Sequence, residues 1–217
     1  MSEELELVTE DEKKLSYYRE YLLKLKREQS NEIFTNKGEA HASILMGTLL
    51  ESTRKSLSMY CVGLRPGILC GRLEEQGNEN GYQGFYWKVF KHFFTETIKE
   101  ERFKEESIKI LIQDDKYLQY QPFKIVKNAY DCPETKRKIV VKKITESCES
   151  RIKKILGGDE STDKFNFSVF DDDKFRLEYD PDNYMAIGSF NDKSWNKILK
   201  QLFDEAFDSA VPVGGFN

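Results

Sequence analysis

A short run of branched apolar residues in the middle of the chain most constrains the fold. The run SIKILIQD, residues 107–114, is typical of a buried strand. Residues 85–106 before it have the apolar spacing of a helix, and KIVVKKI at residues 138–144 gives a second strand pattern before the helical segment SCESRIKKIL. Strands that alternate with helices predict an α/β fold with a mixed, mainly parallel sheet flanked by helices.

The last third of the chain has a different rhythm. Three strand-like runs, NFSVFD, KFRLEYD and YMAIGSFN, are joined by the polar turns DDD and PDN. An amphipathic helix follows, with Trp195, Leu199 and Phe203 on one apolar face. The tail VPVGGFN is predicted to fray. This third therefore adds three strands and one helix.

An amphipathic pattern also occupies residues 9–30. Leu15, Tyr18, Leu22 and Leu25 recur there at spacings of three and four, with charged residues between them. Such a stripe needs a surface to cover it. Either the protein's own core or a second copy of the chain would serve.

Length and composition indicate one domain of ordinary size. At 217 residues, with 39% hydrophobic and 33% charged residues, the chain can bury a core under a strongly solvated surface. We predict a helical extension at residues 1–30 and one α/β domain at residues 31–217. Glycines crowd residues 63–84, which predicts a long loop.

The same sequence disfavours several classes of protein. No apolar run approaches the roughly 18 residues that span a bilayer, and the first residues lack the layout of a secretory signal. We therefore expect a cytoplasmic protein with no membrane partner. The four cysteines match neither a paired CxxC zinc site nor a small disulfide framework, which predicts free thiols. The two histidines lack a supporting ligand pattern, so we expect neither a metal site nor a cofactor.

Charge is distributed unevenly along the chain. The net charge is −4, yet residues 121–155 contain ten basic residues against four acidic ones. The basic segment 124–154 could follow the phosphate backbone of a nucleic acid. Strand and helix alternate there, however, so its charges are expected to divide between faces. A solvated surface is the simpler interpretation.

A constellation near the C-terminus carries the main functional signal. Residues 188–191, GSFN, end the last predicted strand, and Arg176 and Glu178 lie on the strand before it. This layout resembles the signature of the phospholipase D superfamily, H-x-K-x4-D-x6-G-S-x-N. Arginine and glutamate replace the histidine and lysine. Asp182 best matches the acidic position, which leaves each spacer one residue short.

The resemblance extends to the order of elements over roughly residues 31–210. A helix beginning at Ala40 runs directly into a predicted strand at residues 56–62, as at the opening of that fold. The resemblance implies a phospholipase D-like domain. It also implies a ligand-binding set made of Arg176, Glu178, Asp182, Gly188, Ser189 and Asn191.

The two replacements remove the chemistry that the family motif supports. In the family, the motif histidine attacks phosphorus, and the lysine and asparagine steady the phosphate oxygens. Arginine stays protonated and has no free lone pair, so Arg176 cannot be the nucleophile, and Glu178 would repel a phosphodiester. One interpretation is an ion pair between Arg176 and Glu178, which share a face of one strand. The other is a repurposed pocket in which Arg176, Ser189 and Asn191 bind phosphate or carboxylate.

Residual catalysis would need another base. His41 lies at a predicted helix start and could act with Ser189 and Asn191, although a surface or capping role is the ordinary one for such a histidine. His92, in an aromatic helix, is expected to be structural. No nucleotide-binding or hydrolase motif was found.

Two functions from different classes remain open. The first is a non-catalytic phospholipase D-like accessory or sensor subunit that binds a partner or ligand. The resemblance places such chains in bacterial phage-defence systems. It also implies a homodimer or a subunit of a larger complex. The alternative is a phosphodiesterase or nuclease with a non-standard site.

Overall fold

A computed structural model describes residues 10–61, 64, 82–156, 165–180 and 183–216. Asp182 and most of the predicted glycine-rich loop lie outside the described residues. Within the described part of the chain, no helix is both long and apolar enough to cross a membrane.

The helices that the structure describes follow the apolar patterns closely in most places. Their bounds are α1 Glu10–Glu28, α2 Glu39–Glu51, α3 Tyr82–Thr95, α4 Gln121–Asp131, α5 Glu146–Ile155 and α6 Lys193–Asp208. No helix is predicted above for the stretch between residues 114 and 138, where α4 lies. Pro122 lies in the first turn of α4, where its missing N–H costs nothing, and Phe123 and Val126 supply the buried face.

Over the residues that the structure describes, eight strands form a single mixed sheet. Their bounds are β1 Phe34–Asn36, β2 Leu57–Cys61, β3 Ile108–Ile112, β4 Ile139–Lys143, β5 Asn166–Phe170, β6 Lys174–Asp180, β7 Met185–Ser189 and β8 Val211–Pro212. The order across the sheet is β1-β7-β6-β5-β2-β3-β4-β8. An α/β fold with a mixed sheet and flanking helices is thereby confirmed.

The prediction of a mainly parallel sheet is wrong. Only β2–β3 and β3–β4 pair in parallel, and the other five pairings are antiparallel. For two of these pairings, β5–β6 and β6–β7, the reason lies in the short connections between the strands. Such tight turns force antiparallel neighbours, whereas parallel strands need a crossover of a dozen residues or more.

The tail was predicted to fray, but β8 pairs antiparallel with the end of β4. Val213 and Phe216 beyond it are buried, and the Phe216 ring lies 5.2 Å from that of Tyr130. Apolar burial therefore holds the tail against the domain.

Each face of the sheet has its own hydrophobic core. Met59 and Ile110 contribute to the core beneath α1, α2, α3 and α4, whereas Tyr60 and Leu111 contribute to the core beneath α5 and α6. The alternation of side chains along each strand produces this division. Leu22 and Leu25 of α1 belong to the first core. Of the two surfaces considered for α1, its stripe covers the protein's own core.

One cross-strand row connects the first core to the motif residues. Met59 is paired with Ser168, Ser168 with Arg176, Arg176 with Gly188, and Gly188 with Phe34. Directly paired residues point to the same face of a sheet. Arg176 and Gly188 therefore lie on the face that α1 and α2 cover, whereas Ser189 is paired with Phe175, a residue of the second core.

Candidate functional site

The side chains of Arg176 and Glu178 form a buried ion pair. An Nη atom of Arg176 donates to Oε1 of Glu178 at 2.8 Å, and the two residues are 5% and 1% exposed. Asn166, opposite Glu178 on β5, donates its side-chain amide to Oε2. Both carboxylate oxygens of Glu178 thus have a partner. The ion pair predicted from the two-residue spacing is present.

The guanidinium of Arg176 is less completely satisfied than the carboxylate. Its Nε is buried and has no hydrogen-bond partner in the described ranges. Tyr18 of α1 lies near enough to be affected by its charge. Burial raises the pKa of the Tyr18 hydroxyl, and the cationic Arg176 opposes that shift. Tyr18 therefore stays protonated at neutral pH next to a buried cation.

Gly188 has a steric role in the sheet. A Cβ atom there would lie 2.7 Å from the backbone oxygen of Phe175 and 2.7 Å from the Phe34 ring. Only a hydrogen fits in this space. Packing between β6 and β1 therefore accounts for the glycine without a ligand.

Ser189 and Asn191 contact the connection between α1 and β1. The Asn191 side-chain amide donates to the backbone oxygen of Gln29 at 2.8 Å, and the buried Ser189 hydroxyl donates to that of Ser30 at 3.5 Å. The Ser189 oxygen also accepts from the backbone N–H of Asn191 at 3.3 Å. The polar groups of both residues are thus used within the protein.

His41 does not join the other candidates. Its ring packs on Tyr18, with centroids 4.3 Å apart. Burial lowers the pKa of His41, and a hydrogen bond with the backbone of Lys37 partly opposes this. Among the described contacts none links His41 to Ser189 or Asn191. His92 lines a surface cavity beside α3.

Most basic side chains of the segment 124–154 have hydrogen-bond or ion-pair partners within the protein. Lys138 donates to the backbone oxygens of Ile98, Lys99 and Glu100. Further basic residues with a described partner are Lys127, Lys142, Lys143, Arg151 and Lys153. These partners leave fewer basic groups of the segment for a nucleic-acid backbone.

Sequence reasoning missed two residues that shape the site. Asn166 completes the shell around Glu178, and Tyr18 on α1 lies near enough for its pKa to be affected by the charge of Arg176. A signal for Asn166 was available, because Asn166 and Ser168 are polar residues two apart on a predicted strand and therefore share one face, as Arg176 and Glu178 do on the next strand. Tyr18 was assigned to the apolar stripe of α1, and its hydroxyl had no visible partner in the sequence.

Comparisons with known proteins give structural neighbours alone. No protein-family model matches the sequence, and no curated protein matches it. TrmBL2, described as an archaeal chromatin protein with a novel mode of DNA binding, is 14% identical with a TM-score of 0.47, and the match covers 94% of this chain. This chain spans 64% of the length of TrmBL2.

Two further solved structures are similar over most of both chains. Nuc from Salmonella typhimurium, a phospholipase D family member, is 10% identical with a TM-score of 0.45, over 84% of this chain and 99% of Nuc. NucT from Helicobacter pylori is 11% identical with a TM-score of 0.46, over 84% of this chain and 100% of NucT.

Proposed function

We propose that this protein is a non-catalytic phospholipase D-like module that acts by binding. The observation that carries the proposal is the buried ion pair of Arg176 and Glu178. The sequence resemblance aligns these two residues with the family's nucleophile and phosphate-binding lysine. A cation without a lone pair replaces the nucleophile. Its charge is balanced internally by a carboxylate.

The remaining motif residues support the same proposal. A phosphate-binding serine and asparagine need polar hydrogens directed at the ligand. Here Ser189 and Asn191 direct theirs at the backbone of Ser30 and Gln29. A phosphodiester would have to displace this connection and then meet Glu178. The arrangement favours a structural use of the motif.

Binding of a partner protein is the corresponding activity. The prediction of an accessory or sensor subunit in a phage-defence system, and that of a homodimer, rest on the family resemblance. A pull-down from the native host and a light-scattering measurement of the purified protein would test them separately.

The test of the proposal is a cleavage assay in EDTA. We expect the purified protein not to cleave bis(p-nitrophenyl) phosphate, single-stranded DNA, double-stranded DNA or RNA above the buffer rate. The alternative function, a nuclease using His41 with Ser189 and Asn191, predicts cleavage that His41→Ala abolishes. Lys124→Gln, an exposed change on α4, is the control for a contaminating nuclease. Cleavage lost in His41→Ala and kept in Lys124→Gln would overturn the proposal.

A further inference from the structure

A surface cavity of about 590 Å³ is lined by none of the motif residues described above. Residues from the end of α1, the end of α2, α3 and the turn after α3 line it. We call it the basic cavity because four basic side chains, Lys26, Arg54, Lys88 and Arg102, line it. Its volume is in the range of small-molecule sites.

The charge of the basic cavity opposes that of the whole protein. Glu51 and Glu100 are its acidic lining residues, so its basic residues exceed its acidic ones by two, while the chain carries −4. Glu51 pairs with Lys26 at 3.1 Å, and Glu100 pairs with Arg102 at 3.1 Å. Both acidic groups are therefore neutralised by neighbours within the cavity.

Arg54 and Lys88 are left as the excess cations. Across the ranges that the structure describes, neither side chain has a hydrogen bond or an ion pair, although the backbone N–H of Arg54 donates to Asp171. Two unpaired cations at one concave surface attract a dianion. Arginine and lysine are the side chains that bind phosphate groups most often.

The rest of the wall is apolar. Phe85, Val89 and Phe93, one turn apart on α3, line the cavity together with Leu50. The edge of the Phe85 ring would lie 2.5 Å from a Cβ at Gly47, so the ring is held by close packing on α2. The guanidinium of Arg19 lies over this ring, 4.9 Å from its centroid, so a base at Phe85 would pack beside a further cation. A fixed aromatic ring beside cations fits a ligand with both a planar ring and a phosphate.

We propose that the basic cavity binds a nucleoside phosphate, with the phosphate at Arg54 and Lys88 and the base against Phe85. This site is separate from the motif residues, so the proposal does not depend on whether the protein is catalytic.

The experiment is isothermal titration calorimetry of the full chain with AMP, adenosine and inorganic phosphate. We expect AMP to bind with a dissociation constant below about 1 mM at low salt. Adenosine and phosphate should each bind at least about tenfold more weakly, because each makes half of the contacts. Equal affinity for phosphate and AMP would overturn the assignment, as would equal affinity for adenosine or no AMP binding.

Variants locate the site. Arg54→Gln with Lys88→Gln should weaken AMP binding at least about tenfold. Lys124→Gln with Lys154→Gln removes the same charge from exposed positions on α4 and α5 and should leave AMP binding unchanged. An equal loss in both double variants would overturn the proposal.

Two further variants guard against misfolding. Arg54→Lys with Lys88→Arg keeps both charges and should retain AMP binding within about threefold. Phe85→Leu should weaken the binding of AMP at least about fivefold and leave the binding of phosphate nearly unchanged. Thermal unfolding of each variant checks the fold. If Phe85→Leu weakened the binding of phosphate and of AMP equally, the proposed contact between the base and Phe85 would be wrong.

Discussion

The side chain of Asn191 donates a hydrogen bond to the backbone oxygen of Gln29 at 2.8 Å, joining residues that are 162 positions apart in the chain. Gln29 ends the turn after α1 with a positive φ of 48°, so its carbonyl projects from a strained backbone. The last residue of the GSFN motif therefore fastens the N-terminal helix to the sheet.

Asn191→Ala should loosen this connection. We expect a loss of about 1 kcal/mol in the free energy of unfolding, since one long-range hydrogen bond disappears. Urea denaturation measures the loss, and hydrogen exchange should be faster at the amides that end α1. Asn128→Ala removes the same group from an exposed position on α4 and should change stability by less than about 0.5 kcal/mol. Equal effects of the two changes would contradict the fastening role.

Removing one partner of the Arg176–Glu178 pair should destabilise the protein more than replacing both partners with apolar residues. Arg176→Met or Glu178→Leu alone leaves a buried charge without its partner, and each is expected to lower the free energy of unfolding by about 3–5 kcal/mol. The double variant should lose much less than the sum. A urea-denaturation cycle measures this coupling.

The exposed pair Arg151–Glu205, 2.9 Å apart, is the matched control for that cycle. The same two substitutions there should couple by no more than about 1 kcal/mol. Similar coupling energies at the two sites would show that burial does not set the strength of the Arg176–Glu178 interaction.

Asp171 gives stability a defined pH dependence. Its carboxylate accepts the backbone N–H groups of Arg54, Lys55 and Ser56. Burial alone would raise the pKa of Asp171, but the hydrogen bond and charge of Lys174, with the backbone amides, hold it below the ordinary value.

A depressed carboxyl pKa stabilises the folded state above the unfolded pKa of about 4, and this contribution is lost as the pH falls through the folded pKa. Asp171→Asn should therefore cost about 2–3 kcal/mol at pH 7 and progressively less below pH 4. Urea denaturation across that range tests this expectation. The exposed neighbour change Asp172→Asn should leave the pH profile unchanged, and parallel profiles for wild type and Asp171→Asn would contradict the assignment.

Local patterns predicted the strands and helices because each has a strong period of its own. SIKILIQD contains β3, and the stripe at Leu15, Tyr18, Leu22 and Leu25 predicted α1. The short connections account for the antiparallel β5–β6 and β6–β7 pairings, but the direction in which β5 pairs with β2 was not predictable in the same way. It depends on where β5 docks, and the pairing of β5 with β2 is a tertiary contact with no local signature.

The candidate site was predictable to a similar degree. The Arg176–Glu178 pair followed from their spacing on one strand, which is a local property. The commitment of Ser189 and Asn191 to the backbone of Ser30 and Gln29 did not, because it depends on how α1 packs across the sheet. Three-residue β1 is missed for a related reason, since its strand character comes from pairing with β7.

Gly188 gives the sharpest steric test of a structural motif. A methyl group there would meet the backbone oxygen of Phe175 and the Phe34 ring, both at 2.7 Å, and strand backbone cannot move away cheaply. Gly188→Ala should therefore lower the free energy of unfolding by about 1–3 kcal/mol in urea denaturation. Gly214→Ala is the matched control, because no atom lies within 4 Å of its Cβ position. If both variants unfolded at the same urea concentration as the wild type, Gly188 would need another explanation, and a ligand approaching its backbone would be the first to test.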